Sequence, residues 1–178
     1  MADLDLKIFY WLYNLPHEGW IYYFFLIFHY LALFGIGAAI FWITLYIFDK
    51  QNRQKIIFGG LAIITAWGLN TIIIKNIFQS ERPFSVLENV ISGAEKLSSY
   101  SFPSGHATAS FALATTLVLI YPQKRFVYLG FIFALFISIS RIYFGVHYPS
   151  DILGGIVLGI VVPILIFKSA KIKFFFNS

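Results

Sequence analysis

The sequence predicts an all-α, integral-membrane helical bundle of five to six transmembrane helices, and three observations carry that prediction. Of the 178 residues, 59% are hydrophobic and only 12% charged, where a soluble domain has roughly a quarter of its residues charged. Aromatic residues reach 20%, more than a water-exposed surface tolerates. Five stretches are apolar and long enough to cross a bilayer, at about 21–48, 56–78, 104–121, 126–140 and 152–167. Such a chain has lipid as its main solvent.

Each element follows from the local pattern. Residues 4–15 are too few to span, yet Leu4, Ile8, Trp11, Leu12 and Leu15 recur at helical spacing, with Asp5, Lys7 and Asn14 elsewhere. An amphipathic helix lying in the interface is expected there, with Tyr10, Trp11, Tyr13 and Trp20 at headgroup depth. The span at 21–48 is longer than a bilayer core requires and must tilt or extend beyond it. The span at 56–78 measures roughly 34 Å as a helix, enough for the ~30 Å hydrocarbon core. The span at 126–140 is short and is expected to continue past Ser140. No repeat or low-complexity tract divides the chain, so residues 1–178 read as one membrane-embedded domain with its motif-bearing core at 56–167. The acidic start Met-Ala-Asp-Leu-Asp lacks the basic n-region of a signal peptide and is expected to be retained.

Charge gives the orientation. Lys50, Arg53 and Lys55 fall in one connector, Lys124 and Arg125 in another, and Lys168, Lys171 and Lys173 in the tail. With five alternating spans these share one side, which the positive-inside rule makes cytoplasmic. Seven of the eight acidic residues fall on the other side, Asp49 being the exception. The net charge of +5 is spread through apolar stretches without forming a patch, so no nucleic-acid partner is expected. There is no cysteine, which excludes disulfides and thiolate metal sites.

Polar residues at the ends of membrane spans are functional candidates. They form three groups: Lys75 with Arg82-Pro83, then Pro103-Ser104-Gly105-His106, then Ser140-Arg141 with His147 and Asp151. The charge-derived topology brings all three to the same, non-cytoplasmic end. Lys75, Arg82 and Arg141 are cations without matching carboxylates, which implies an anionic ligand, and phosphate suits their donors. Pro103-Ser104-Gly105 opens an apolar helix and offers backbone N–H groups, a hydroxyl and a positive dipole end to that anion. Asp151, four residues after His147, can fix the imidazole tautomer and leave the other nitrogen free to attack phosphorus. His106 can protonate the leaving oxygen. Three surrounding cations oppose a divalent ion, so neither a metal nor another cofactor is expected. His29, alone within the first span, reads as a hydrogen-bonded structural residue, and Thr71, four residues before Lys75, as support for it.

These eleven residues, at this spacing and in this order, resemble the three-part signature of the type 2 phosphatidic acid phosphatase superfamily, whose members usually have six membrane helices. The resemblance covers Lys75 to Asp151. It implies a phosphohistidine on His147, oriented by Asp151, with His106 as general acid. Lys75, Arg82, Ser104, Gly105 and Arg141 would hold the phosphoryl oxygens. Pro83, Pro103 and Ser140 would shape the site. It further implies a metal-independent enzyme in a bacterial cytoplasmic membrane, its site on the periplasmic or outer face. The substrate would be a lipid phosphate: undecaprenyl diphosphate, phosphatidylglycerophosphate, phosphatidic acid or the 1-phosphate of lipid A. A phosphotransferase of the same family and an anion transporter are the alternatives. The loop at 84–102 would line the entrance, with Val86, Leu87, Val90 and Ile91 laid against lipid as a lid.

Overall fold

The computed structural model describes the backbone of residues 2–33, 35–93 and 98–176 and the side chains of 3–31, 37–93 and 98–169. Of the basic tail, Lys168 is included, whereas the side chains of Lys171 and Lys173 lie outside the described residues. Nearly all regular structure is helical: α1 (Ala2–Tyr13), α2 (Gly19–Leu33), α3 (Gly35–Phe48), α4 (Arg53–Gly68), α5 (Lys75–Phe78), α6 (Pro83–Val86), α7 (Gly105–Ile120), α8 (Leu129–Tyr143) and α9 (Pro149–Phe176). A π-helical segment, Leu69–Ile74, joins α4 to α5 without a break in the rod. Among the described residues, the stretches Lys50–Val86, Arg125–Tyr143 and Pro149–Ser169 are long and apolar enough to cross a membrane. Gly19–Leu31, Gly37–Phe48 and Gly105–Ile120 are shorter apolar helices.

The first predicted span, 21–48, is covered by α2 and α3, with Phe34 between them outside the described residues. α2 packs on α8 and α3 on α4. Trp42 fastens α3: its indole lies over Gly59 and Gly60 of α4, and its Nε1 donates to the Ile56 carbonyl at 3.0 Å. The two helices together make one pass. At the start of α2, the Tyr143 hydroxyl donates to the Pro16 carbonyl at 2.7 Å. Beyond the end of α3, the Tyr121 hydroxyl donates to Asp49 Oδ2 at 2.7 Å, at the opposite end of the bundle. Asp49 also caps the turn Lys50–Asn52 through the Asn52 N–H. Among the described residues the five predicted spans therefore alternate, with the connectors holding Lys50–Lys55 and Lys124–Arg125 at one end and all three motif groups at the other.

α7 is the central helix and packs on α9, α8 and α4. In lipid, helices gain little from hydrophobic burial and associate through close packing of small residues. Gly155 and Gly159 of α9 supply that packing. A Cβ at Gly155 would stand 2.7 Å from the Ser104 carbonyl oxygen, and one at Gly159 2.7 Å from the Thr108 carbonyl oxygen. The approach is made at backbone distance, next to the turn that opens α7.

α1, at 12 residues and about 18 Å, cannot cross the bilayer. It lies over the motif end of the bundle and divides its apolar residues between two faces. Phe9 and Leu12 are buried with Val90, Ile142 and Ile152. Leu4, Ile8 and Trp11, spaced i, i+4 and i+7, remain exposed, as an interfacial helix requires. Leu12 thus serves the protein core instead of the lipid face. Asp5 accepts from the N–H and hydroxyl of Ser150 at 2.8 and 2.7 Å and so ties α1 to the first turn of α9. The entrance loop is corrected likewise: Val90 and Leu87 pack under α1, and only Val86 and Ile91 face outward.

Gly159→Leu should push α9 off α7, at about 1–3 kcal/mol, and lower the melting temperature in detergent by several degrees. Gly159→Ala should fall between Leu and wild type. An unchanged melting temperature in the Leu variant would contradict the close approach.

Candidate active site

The π-helical segment sets the first group of residues. The Lys75 N–H bonds to the Asn70 carbonyl, five residues back instead of four. That wider turn changes which residues share a face. Asn70 and Lys75 both reach the segment that precedes α7. Asn70 Nδ2 donates to the Pro103 carbonyl at 3.2 Å and to Thr108 Oγ1 at 2.8 Å. Lys75 Nζ donates to the carbonyls of Tyr100 and Ser101, the latter at 3.2 Å. Thr71 lines the cavity beside Lys75, while the Lys75 ammonium is held by the carbonyls of the segment before α7.

Arg82 stands just before α6, which begins with Pro83 at its first position. Its guanidinium binds the same segment: Nε donates to the Ser99 carbonyl at 2.8 Å, and Nη2 to Ser99 Oγ and the Tyr100 carbonyl at 3.1 and 3.2 Å. Nη1 donates to the Val146 carbonyl at 2.9 Å and lies 3.3 Å from His147 Nε2. Two buried cations are thus satisfied by carbonyl oxygens, which lowers the penalty of holding charge away from water.

His147 follows the turn that ends α8, and Asp151 lies in the first turn of α9. Both are buried. His147 Nδ1 is 3.2 Å from Asp151 Oδ2. The same oxygen accepts from Ser101 Oγ at 2.5 Å and from the Tyr148 N–H at 2.8 Å. A carboxylate partner at Nδ1 requires the proton there, leaving a lone pair at Nε2 on the side of Arg82. Burial pushes the His147 imidazole down to about 4, outweighing the upward effect of Asp151. The ring is therefore neutral near pH 7, the form a nucleophile needs.

Ser104 caps α7, its Oγ accepting from the Ala107 N–H at 3.4 Å. Its own N–H donates to the Asp151 carbonyl at 3.0 Å, joining the second and third groups directly. A cavity of about 680 Å³ begins at Lys75, Arg82, Gly105, His106 and His147 and runs down between α3, α4 and α7 past Ile63, Trp67 and Trp42. Ser104, Asp151 and Arg141 do not line it and stand behind that surface, nearly or wholly buried. Arg141 Nη1 is 2.6 Å from His29 Nδ1, which gives His29 the hydrogen bond expected of it. Among the described residues, no three of His, Cys, Asp and Glu converge as a metal site would need.

Every one of the eight predicted site residues is thus at one end of the bundle, five on the cavity wall and three behind it. Ser101 and Asn70 were not singled out as site residues by the sequence reading. Ser101 lies two residues before Pro103 in a serine-rich loop, and nothing in its spacing marks it. Asn70 is a polar residue within an apolar span, which is the signal that could have found it.

Comparison with known proteins shows the family and the fold. The PAP2 superfamily matches residues 54–174, a segment that contains all three motif groups. The chain is 30% identical over 141 residues to the bacitracin transport permease protein BcrC of Bacillus licheniformis, covering 79% of this chain and 66% of that one. It is 30% identical over 134 residues to undecaprenyl-diphosphatase BcrC of Bacillus subtilis, covering 75% and 67%. The chain thus spans about two thirds of the length of these relatives. Among crystal structures, Aquifex aeolicus LpxE superposes with a TM-score of 0.79 at 32% identity, covering 93% of this chain and 95% of that one. The first transmembrane PAP2 type phosphatidylglycerolphosphate phosphatase from Bacillus subtilis shares the fold at a TM-score of 0.75 and 24% identity, with 96% and 86% covered. With the family match, the motif spacing and the fold in agreement, the chain belongs to the PAP2 superfamily.

Proposed function

We propose that this protein is a metal-independent lipid phosphatase that works through a phosphohistidine on His147. The observation that carries this reading is a cavity whose polar end holds Lys75, Arg82, Gly105, His106 and His147 and whose other walls include Ile63, Trp67 and Trp42. A phosphate belongs at the first end and an apolar chain along the second. The relatives point to the candidate lipids, since they include an undecaprenyl-diphosphatase, a phosphatidylglycerophosphatase B and a lipid A 1-phosphatase.

The reaction uses the side chains as placed. His147 Nε2 attacks phosphorus and forms an N–P bond as the P–O bond to the lipid breaks. His106 gives its proton to the departing oxygen. Asp151, bonded to Nδ1–H, stabilises the positive charge on the ring, and Ser101 holds the carboxylate in line. Lys75, Arg82, Arg141, the Ser104 hydroxyl and the Gly105 N–H meet the charge on the phosphoryl oxygens in the transition state. Water then attacks the phosphohistidine, gives its proton to His106 and releases inorganic phosphate. Lys75 and Arg82 exchange backbone carbonyls for phosphate oxygens on binding, so both ends of the exchange keep them paired.

The basic connectors lie at the end opposite to this site, so catalysis belongs outside the cytoplasm in a bacterial inner membrane. The lipid chain stays within the bilayer and the bundle while its phosphate reaches the pocket.

Protein purified in detergent should release phosphate from at least one of undecaprenyl diphosphate, phosphatidylglycerophosphate, phosphatidic acid and lipid A 1-phosphate. EDTA should leave the rate unchanged. Orthovanadate, which adopts the five-coordinate geometry of attack on phosphorus, should inhibit. Release from none of the four, or a rate lost in EDTA and restored by Mg²⁺, would sink this reading.

Sidedness has its own test, made simple by the absence of cysteine. In intact spheroplasts, a membrane-impermeant thiol reagent should label Ser92→Cys and spare Gln123→Cys. The reverse pattern would invert the topology.

A further inference from the structure

His29 reaches the site from α2, outside the residues 54–174 matched by the superfamily. Both His29 and Arg141 are buried, at 2% and 0% exposure, and the 2.6 Å between His29 Nδ1 and Arg141 Nη1 is a short, direct contact. Arginine stays charged and has only donors. The hydrogen bond therefore requires a lone pair at Nδ1, so His29 is neutral and carries its proton on Nε2. Its ring is set by its neighbours: Phe144 meets it edge to face at 5.2 Å and Tyr30 at 5.5 Å. Phe144 in turn follows Arg141 by three residues and bonds through its N–H to the Ser140 carbonyl. A guanidinium is a rigid planar fork, so holding one edge orients all its remaining donors. Arg141, buried at the end of α8, stands behind the cavity wall that carries His106 and His147.

We propose that His29 is a positioning residue that anchors the Arg141 guanidinium from α2, so that its other donors meet the phosphoryl oxygens when a phosphate enters. The proposal rests on the phosphatase reading above. It gives the N-terminal helices a part in recognition beyond anchoring the chain.

The test is a double-mutant cycle on the full chain with His29→Ala, His29→Gln, Arg141→Ala and the combined variants. The readouts are kcat, KM, melting temperature and the direct affinity for orthovanadate. His29→Ala should lower kcat and orthovanadate affinity by roughly ten- to hundredfold and leave KM nearly unchanged, since the lipid chain supplies most ground-state binding. His29→Gln, whose Oε1 can accept from Nη1, should recover part of the loss. In the Arg141→Ala background, neither His29 substitution should cost anything further. Wild-type orthovanadate affinity in His29→Ala, or losses that multiply in the double variant, would overturn the proposal. So would a fall in melting temperature with kcat intact, which is the mark of a purely structural histidine. If His29→Ala fails to fold, the same cycle with His29→Gln decides between these outcomes. Absence of phosphate release by the wild type sinks the phosphatase reading instead, and orthovanadate binding then still decides on His29.

Discussion

One carboxylate gathers the site. Asp151 Oδ2 accepts from His147 Nδ1, Ser101 Oγ and the Tyr148 N–H, and the Asp151 carbonyl accepts from the Ser104 N–H. Residues from the end of α8, the start of α9 and the segment before α7 are therefore fixed to one side chain and its own backbone. This is possible only because α9 approaches α7 at backbone distance, through Gly155 beside the Ser104 carbonyl oxygen and Gly159 beside that of Thr108. Larger side chains there would part the two helices, and the hydrogen bonds at their ends would part with them. Helix packing and site geometry are in this sense one constraint.

The second requirement is that charge held in a lipid-facing bundle be paired. Lys75 and Arg82 meet it with the carbonyls of residues 99–101 and 146. Arg141 meets it in part through His29. Carbonyls satisfy a cation without neutralising it, so the site keeps its net attraction for an anion. An acidic partner at each cation would have removed that attraction. The same bonds order the segment that carries Ser101 and Pro103, so one set of cations both shapes the loop and keeps positive charge at the cavity.

Much of this was legible in the sequence because the relevant signals are local. Apolar runs at 56–78, 104–121 and 152–167 mark their helices through length alone, and the basic connectors mark the ends. His147 and Asp151, four residues apart at the start of a helix, declare their pairing by spacing. What could not be read is what depends on register or on contact between distant segments. The π-helical segment Leu69–Ile74, whose wider turn aims Asn70 at Pro103 and Thr108, leaves no compositional trace. Ser101 reaches Asp151 across 50 residues, and His29 reaches Arg141 across 112. Phe9 and Leu12 of α1 turned inward because Val90, Ile142 and Ile152 offer an apolar surface there, a partner the helical period cannot reveal.

The central claim is that a neutral imidazole, held by Asp151 in a buried pocket, takes the phosphoryl group itself. Rapid acid-free quenching of the enzyme with a lipid carrying radiolabelled phosphate tests it most directly. The account predicts label on the peptide that contains His147, stable to alkali and lost in acid as a phosphohistidine is, and neither label nor turnover in a folded His147→Ala variant. Turnover at the wild-type rate in that variant, or label that maps to another residue, would contradict it.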